Sequence, residues 1–160
     1  MTGSATPATK VLAAAKVAYE LHRYTHDPRA TSFGTEAADV LGVDANQVFK
    51  TLVIELSGGA LAVAVLPVSA QLSMKSAAAA LGAARAAMAD TAKAERSTGY
   101  VLGGISPLGQ RRRLRTVVDS SALRFPRVFC SGGRRGLEIE LAPTDLIELT
   151  RAVTATITAG

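Results

Sequence analysis

Apolar and polar positions alternate with two different periods along this chain, and the switches between them mark its elements. Thr6 and Pro7 have the chemistry of a helix N-cap and first helical position, and the alanine-rich run to Ala15 continues as a helix. From Tyr19 to Tyr24 the period drops to two: Tyr19, Leu21 and Arg23 face one way and Glu20, His22 and Tyr24 the other, which predicts a strand with one face toward a site. His26, Asp27 and Pro28 break it, and a loop carries Thr31, Ser32 and Phe33 to Gly34. Thr35 caps a short helix to Leu41 that Gly42 ends, and Asp44 caps a brief turn before Phe49. Residues 49–56 and 60–66 are β-rich runs around Ser57, Gly58 and Gly59, a hairpin signal.

Further on, Ser73 caps a helix over residues 74–81 with Gly82 as its stop, and Asp90 caps another to about Arg96. Residues 115–118, 127–130 and 137–141 read as strands, residues 143–152 as a helix and 153–157 as a last strand. Short strands joined by tight turns, without regular βαβ units, predict one α+β domain over residues 1–160. Its sheet should be mixed or mostly antiparallel, with closure into a barrel as one way to arrange it.

Composition narrows this picture. Of 160 residues, 48% are hydrophobic but only 4% aromatic, with no tryptophan, so the core must be built from Ala, Val, Leu and Ile. A single cysteine, Cys130, excludes an intramolecular disulfide framework and fits a reducing cytoplasm. The first residues lack the pattern of a secretory signal, and the apolar run at residues 60–68 is too short for a bilayer, so the expectation is a cytoplasmic protein with no membrane partner. The excess of 18 Lys and Arg over 13 Asp and Glu, a charge of +5, favours a polyanion such as RNA.

Candidate chemistry concentrates in residues 96–113, RSTGYVLGGISPLGQRRR. Glycines at 99, 103, 104 and 109 with Pro107 make a shaped backbone rather than a helix or central strand. Its N–H groups from Gly103 to Ser106 can converge on one polarised oxygen, and the arginines can hold phosphates; a tight turn leading into a solvated basic loop has the same composition. Two histidines and one distant cysteine make no metal-ligand cluster, and the chain has no GxSxG elbow, P-loop or HExxH. Cys130, in VFCSGG, reads as a small core residue. What remains is a site without a strong protein nucleophile, in which backbone donors at Gly103 and Gly104 join a second glycine turn at residues 131–133, Lys50, and hydroxyls at Thr51, Ser106 and Ser131. Lys50 opens a hairpin strand, where it reads equally as an edge-strand charge.

The blocks TPATKVL, HDP with a following FG, VFKTL, RSTGYVLGGISPLGQRRRL and SGGRRGLEIEL, in this order, make the chain similar to the YbaK family of aminoacyl-tRNA deacylases that act in trans. The resemblance implies a mixed β-barrel surrounded by helices and hydrolysis of the ester joining cysteine to proline tRNA, with no metal or organic cofactor. The substrate thiol is expected to attack its own carbonyl. By the same resemblance, Lys50 holds the phosphate of the terminal adenosine with Thr51 beside it, and Tyr24 and Phe33 line the pocket around the 3′ end. Gly103 and Pro107 end a GxxxP loop, here including Gly104 and Ser106, whose backbone contacts the aminoacyl group. Ser131 and Gly132 form the flanking glycine turn. Glu138 stands where the best-known members carry aspartate, so a carboxylate holding the substrate amine or a water is set one methylene further out.

The implied partners are aminoacyl-tRNA and, in a ternary complex, prolyl-tRNA synthetase, since no anticodon-reading element is visible. Two alternatives stay open: water-driven editing of alanine or serine esters, and a non-catalytic module that binds a tRNA end.

Overall fold

The structure is a computed structural model that describes residues 5–30 and 33–159. The elements run α1 (Pro7–Ala15), β1 (Tyr19–Arg23), α2 (Phe33–Leu41), a 3-10 turn (Ala45–Gln47), β2 (Phe49–Leu56), β3 (Leu61–Pro67) and α3 (Met74–Ala80). They continue as β4 (Ala86–Met88), α4 (Thr91–Thr98), β5 (Arg115–Asp119), a second 3-10 turn (Ser120–Arg124), β6 (Val128–Ser131), β7 (Leu137–Leu141), α5 (Pro143–Thr150) and β8 (Val153–Ala155). The helix starts obey their caps: the side chains of Thr6, Ser73 and Asp90 accept the N–H of Thr9, Ser76 and Lys93. The loop expected at Thr31 and Ser32 lies outside the described residues, and α2 starts at Phe33, before the cap expected at Thr35.

Among the described residues eight strands form two sheets rather than a closed barrel. One has five strands in the order β4-β2-β3-β5-β8, the other three in the order β1-β7-β6. The closure into a barrel expected from the resemblance is not seen among the described residues: two sheets pack face to face and are linked in backbone pairing by an isolated parallel bridge, Val48 to Phe129. Pairing is mixed and mostly antiparallel as expected, with β3–β5 and β5–β8 parallel and the rest antiparallel. The β2–β3 hairpin sets Lys50 opposite Leu66 and Thr51 opposite Val65.

Alternation decides which residues meet. Phe49, Val63, Val65 and Val118 of the large sheet pack against Val128, Cys130, Ile139 and Leu141 of the small one, closed at the ends by Leu12 of α1 and Leu146 of α5. The opposite face of the large sheet, with Ile54, Ala62, Ala64 and Leu66, is covered by Ala77 and Leu81 from α3 and its end. Alanine at facing positions lets helix and sheet approach closely, the consequence of a core almost without aromatics.

Two elements escape the sequence pattern. β4 is three residues, Ala-Ala-Met, with no β-branched side chain, and it exists because its backbone pairs with Ile54–Leu56. The second 3-10 turn is organised by Asp119, whose buried carboxylate accepts from the N–H of Ser121 at 3.2 Å and of Ile157 at 2.9 Å.

Candidate functional site

The feature that makes a site is an unfinished strand edge. β4 covers β2 only from Ile54 to Leu56, so the stretch Phe49–Leu52 is paired with β3 on one side and, among the described residues, has no ladder on the other. A cleft of about 260 Å³ opens on that side. Its strand wall carries Lys50, Thr51 and Leu52; Ser131 and Glu138 come from the ends of β6 and β7; Phe33 comes from the start of α2; and Leu102, Gly103 and Ile105 come from the loop after α4.

The charged groups are held away from full solvation. Lys50 donates from Nζ to the carbonyl of Ala70 at 2.7 Å, and desolvation lowers its pKa. That single bond leaves donors of the ammonium for a ligand. Glu138 is buried, and that burial pushes its carboxyl up to about 8. Across the sheet it stands between His22 and Ser131. The Thr51 hydroxyl is buried with no hydrogen-bond partner among the described residues. A buried polar atom without a partner costs about 1–3 kcal/mol, and in a cleft wall it is a position that a water or a ligand group would satisfy. Tyr24 packs behind this wall; burial, then the charges of Glu138 and Glu36, push its hydroxyl up to about 12.

The loop wall contributes backbone instead. Gly103 has φ +88, and a Cβ there would meet Arg135 Nε at 2.7 Å and the Phe33 ring at 3.0 Å. A Cβ on Gly104 would strike the backbone of Arg134 at 2.6 Å, so the two glycine turns lie one against the other. The second turn is tied down in its own way: Gly132 donates to the Leu137 carbonyl at 2.8 Å and its carbonyl accepts from the Thr6 hydroxyl at 2.5 Å. Thr6 thus caps α1 and anchors the far side of the site at once.

Lys50, Thr51, Phe33, Gly103, Ser131 and Glu138 are brought together in one cleft, and the other expected residues are not part of its lining. The N–H of Gly104 closes a turn on the carbonyl of Val101 at 2.9 Å, which removes it from the set of donors free to meet a substrate. Ser106 is fully buried and its Oγ accepts the N–H of Leu108 at 3.2 Å. Pro107 borders a separate hollow with Val11, Gln110 and Arg113, so its part is to shape the loop from the rear. Arg111, Arg112 and Arg113 are exposed.

Cys130 is wholly buried, and desolvation followed by the nearby Glu138 charge raises its thiol far above the ordinary value, which makes it core. Among the described residues no group of three or more His, Cys, Asp or Glu is placed to hold a metal ion. His22 bonds Glu140 at 2.8 Å, and His26 bonds Glu36 at 2.7 Å, so neither serves as a base beside a cleft hydroxyl. Two residues are missing from the sequence expectations: Arg135, whose guanidinium lies 4.8 Å from the centre of the Phe33 ring, and Glu95, which accepts the N–H of Leu102 at 2.9 Å. A second arginine within a glycine turn is a signal for the first; nothing in the sequence singles out the second.

A family model described as the aminoacyl-tRNA editing domain matches residues 26–149. The chain belongs to this family. It is 32% identical over 157 residues, 98% of this chain and 95% of the relative, to an Enterococcus faecalis protein named "Putative Cys-tRNA(Pro)/Cys-tRNA(Cys) deacylase EbsC". In three dimensions the chain is similar to a crystal structure of "a putative trans-editing enzyme for prolyl tRNA synthetase", with TM-score 0.85 and 23% identity over 100% of this chain and 99% of the other. It is equally similar to "hypothetical protein APE2540", with TM-score 0.86 and 27% identity over 96% and 100%. The YbaK-type resemblance of the sequence blocks and the family model point to the same editing domain. No described helix is long and apolar enough to cross a membrane.

Proposed function

We propose that this editing domain clears cysteine from mischarged proline tRNA in trans, by cleaving the ester to the terminal adenosine. The observation that carries the reading is a cleft with a part-buried lysine, a buried carboxyl and a glycine in its loop wall, but with no activated protein nucleophile among the described residues. Its two hydroxyl residues, Thr51 and Ser131, have no histidine at their side, and Ser131 Oγ instead accepts the N–H of Gly133 at 3.2 Å. The attacking atom must then come with the substrate or from water. The name of the Enterococcus relative at 32% identity, "Putative Cys-tRNA(Pro)/Cys-tRNA(Cys) deacylase EbsC", supports cysteine.

The steps follow from the cleft's chemistry. Lys50 binds the phosphate of the terminal adenosine, and Phe33 packs against the substrate's 3′ end. Glu138, protonated at neutral pH in the empty cleft, ionises when the substrate's α-ammonium approaches and pairs with it. The substrate thiol gives its proton to water and its sulfur attacks the ester carbonyl. The oxyanion that forms accepts from the N–H of Gly103. Collapse breaks the bond to the ribose oxygen, which takes up a proton, leaving deacylated tRNA and a cyclic thiolactone that water opens to cysteine. Selection of proline tRNA falls to prolyl-tRNA synthetase in a ternary complex, and a cytoplasmic location fits such a substrate.

The test is a deacylation panel with purified protein: cysteine, alanine, serine and proline on proline tRNA, and cysteine on its own tRNA, each with and without the synthetase. Rapid release of cysteine, and little of alanine or serine, is the expected result. Release of alanine or serine as fast as cysteine would remove the thiol from the mechanism, and salt-dependent tRNA binding without release would leave only an end-binding module.

A further inference from the structure

The proposed reaction depends on the direction of one backbone N–H, and a glycine at φ +88 does not set that direction by itself. Contacts from outside the loop do. Glu95 on α4 accepts the N–H of Leu102 through Oε2 at 2.9 Å, and Arg135 donates from Nε to the carbonyl of Leu102 at 2.9 Å. Both polar groups of one residue in a glycine-rich loop are therefore held by side chains, one from a helix and one from the second glycine turn. The carbonyl of Leu102 and the N–H of Gly103 belong to the same peptide plane. In a trans peptide they point to opposite sides, and the described chain contains no cis peptide. Holding the carbonyl on the Arg135 side directs the N–H the other way, and Gly103 forms part of the cleft wall whereas Arg135 does not.

Arg135 is itself pre-placed. Its guanidinium lies 4.8 Å from the centre of the Phe33 ring, an arrangement that favours a planar delocalised cation over a flexible ammonium. The space is tight enough that a Cβ on Gly103 would touch both Arg135 and Phe33. The exposed position of Arg135 means that the core does not depend on it. We propose that Arg135 is a positioning residue which, seated on Phe33, holds the Leu102–Gly103 peptide so that the Gly103 N–H faces the scissile ester. Arg135 touches no reacting atom in this scheme. The inference rests on the ester-cleaving reading of the cleft.

Two variants separate the hydrogen bond from the packing. Arg135→Met keeps an unbranched stem against Phe33 and removes the donor; Arg135→Lys keeps a donor on a similar stem. Their deacylation kcat and KM, thermal midpoints and the 1H–15N resonance of Gly103 are measured beside wild type. In Arg135→Met kcat is expected to fall by about 10- to 100-fold, because a misdirected donor costs rate more than binding. KM should stay within about twofold and the midpoint within about 2 °C. The Gly103 amide resonance should shift or broaden, and Arg135→Lys should recover part of both effects.

An unchanged kcat, or a loss carried by KM alone, would overturn the proposal, the second because it would make Arg135 a contact to the substrate. Should wild-type protein release no amino acid from any tRNA, the functional reading fails and the amide resonance judges the clamp alone. A shift in Arg135→Met then supports it, and an unmoved resonance sinks it.

Discussion

The two walls of the cleft are built on opposite principles. The strand wall, from β2 and β7, works through side chains that the fold holds at some cost: Lys50 is partly desolvated, Glu138 is buried, and the Thr51 hydroxyl lacks a partner. The loop wall works through backbone shape, with Gly103 set where a Cβ would collide with Arg135 and Phe33, and Gly104 outside the lining, packed against the backbone of Arg134. Substitutions in the first wall remove chemistry and spare the shape, whereas substitutions in the second change the shape and with it the chemistry. The comparison can be broken at three points.

The largest effect is expected for Lys50→Ala. Removing the cleft ammonium should lower kcat/KM for aminoacyl-tRNA by about 100-fold or more. The thermal midpoint should hardly move, since desolvation already works against the charged lysine in the folded state. A variant that deacylates at the wild-type rate would remove Lys50 from the site.

Gly103→Ala comes next, with a loss of about 10- to 100-fold in kcat. Here stability should fall as well, by about 1–2 kcal/mol for an L-residue at positive φ, which at this size lowers the midpoint by about 2–4 °C per kcal/mol. Full stability together with full activity would show that the loop wall tolerates a Cβ and would dissolve the contrast between the walls.

The smallest effect is one of pH. Glu138 titrates at about 8 in the folded chain and at 4.5 when unfolded, so between those values the folded state holds the extra proton. Stability from this group is therefore present below about 4.5 and lost as pH rises through 8. Glu138→Gln, an isostere of the protonated form, should flatten that slope and melt above wild type at pH 9 while differing little at pH 5. Parallel melting curves for the two proteins across pH 5–9, measured by calorimetry, would place the carboxyl in contact with solvent or with a partner cation.

Much of this is legible in the order of residues along the chain. The N-caps at Thr6, Ser73 and Asp90 are local hydrogen-bond chemistry, and the hairpin around Gly58 and Gly59 follows from period-two runs and a glycine turn. Cys130 as core and the grouping of Lys50 with Gly103 are legible too, the second through a family resemblance rather than through spacing. The donor set is not: sequence offers Gly103 and Gly104 as equivalent, and only the turn closed on the Val101 carbonyl separates them. Pro107 reads as a site residue through the GxxxP loop of the resemblance and Ser106 through its hydroxyl, yet the chain turns both inward, Ser106 to full burial.

By itself, then, the sequence determined most of the strands and helices and which glycines must bend the chain, because each of these depends on near neighbours. Tertiary structure decided that the sheets stack instead of closing, that β4 stops short of Lys50 and leaves an edge open, and that Arg135 crosses from one glycine turn to hold the other. Those outcomes turn on pairings between residues far apart in the chain, Val48 with Phe129 and Leu102 with Arg135, and no local pattern carries the free energy of a contact that exists only once both partners are in place.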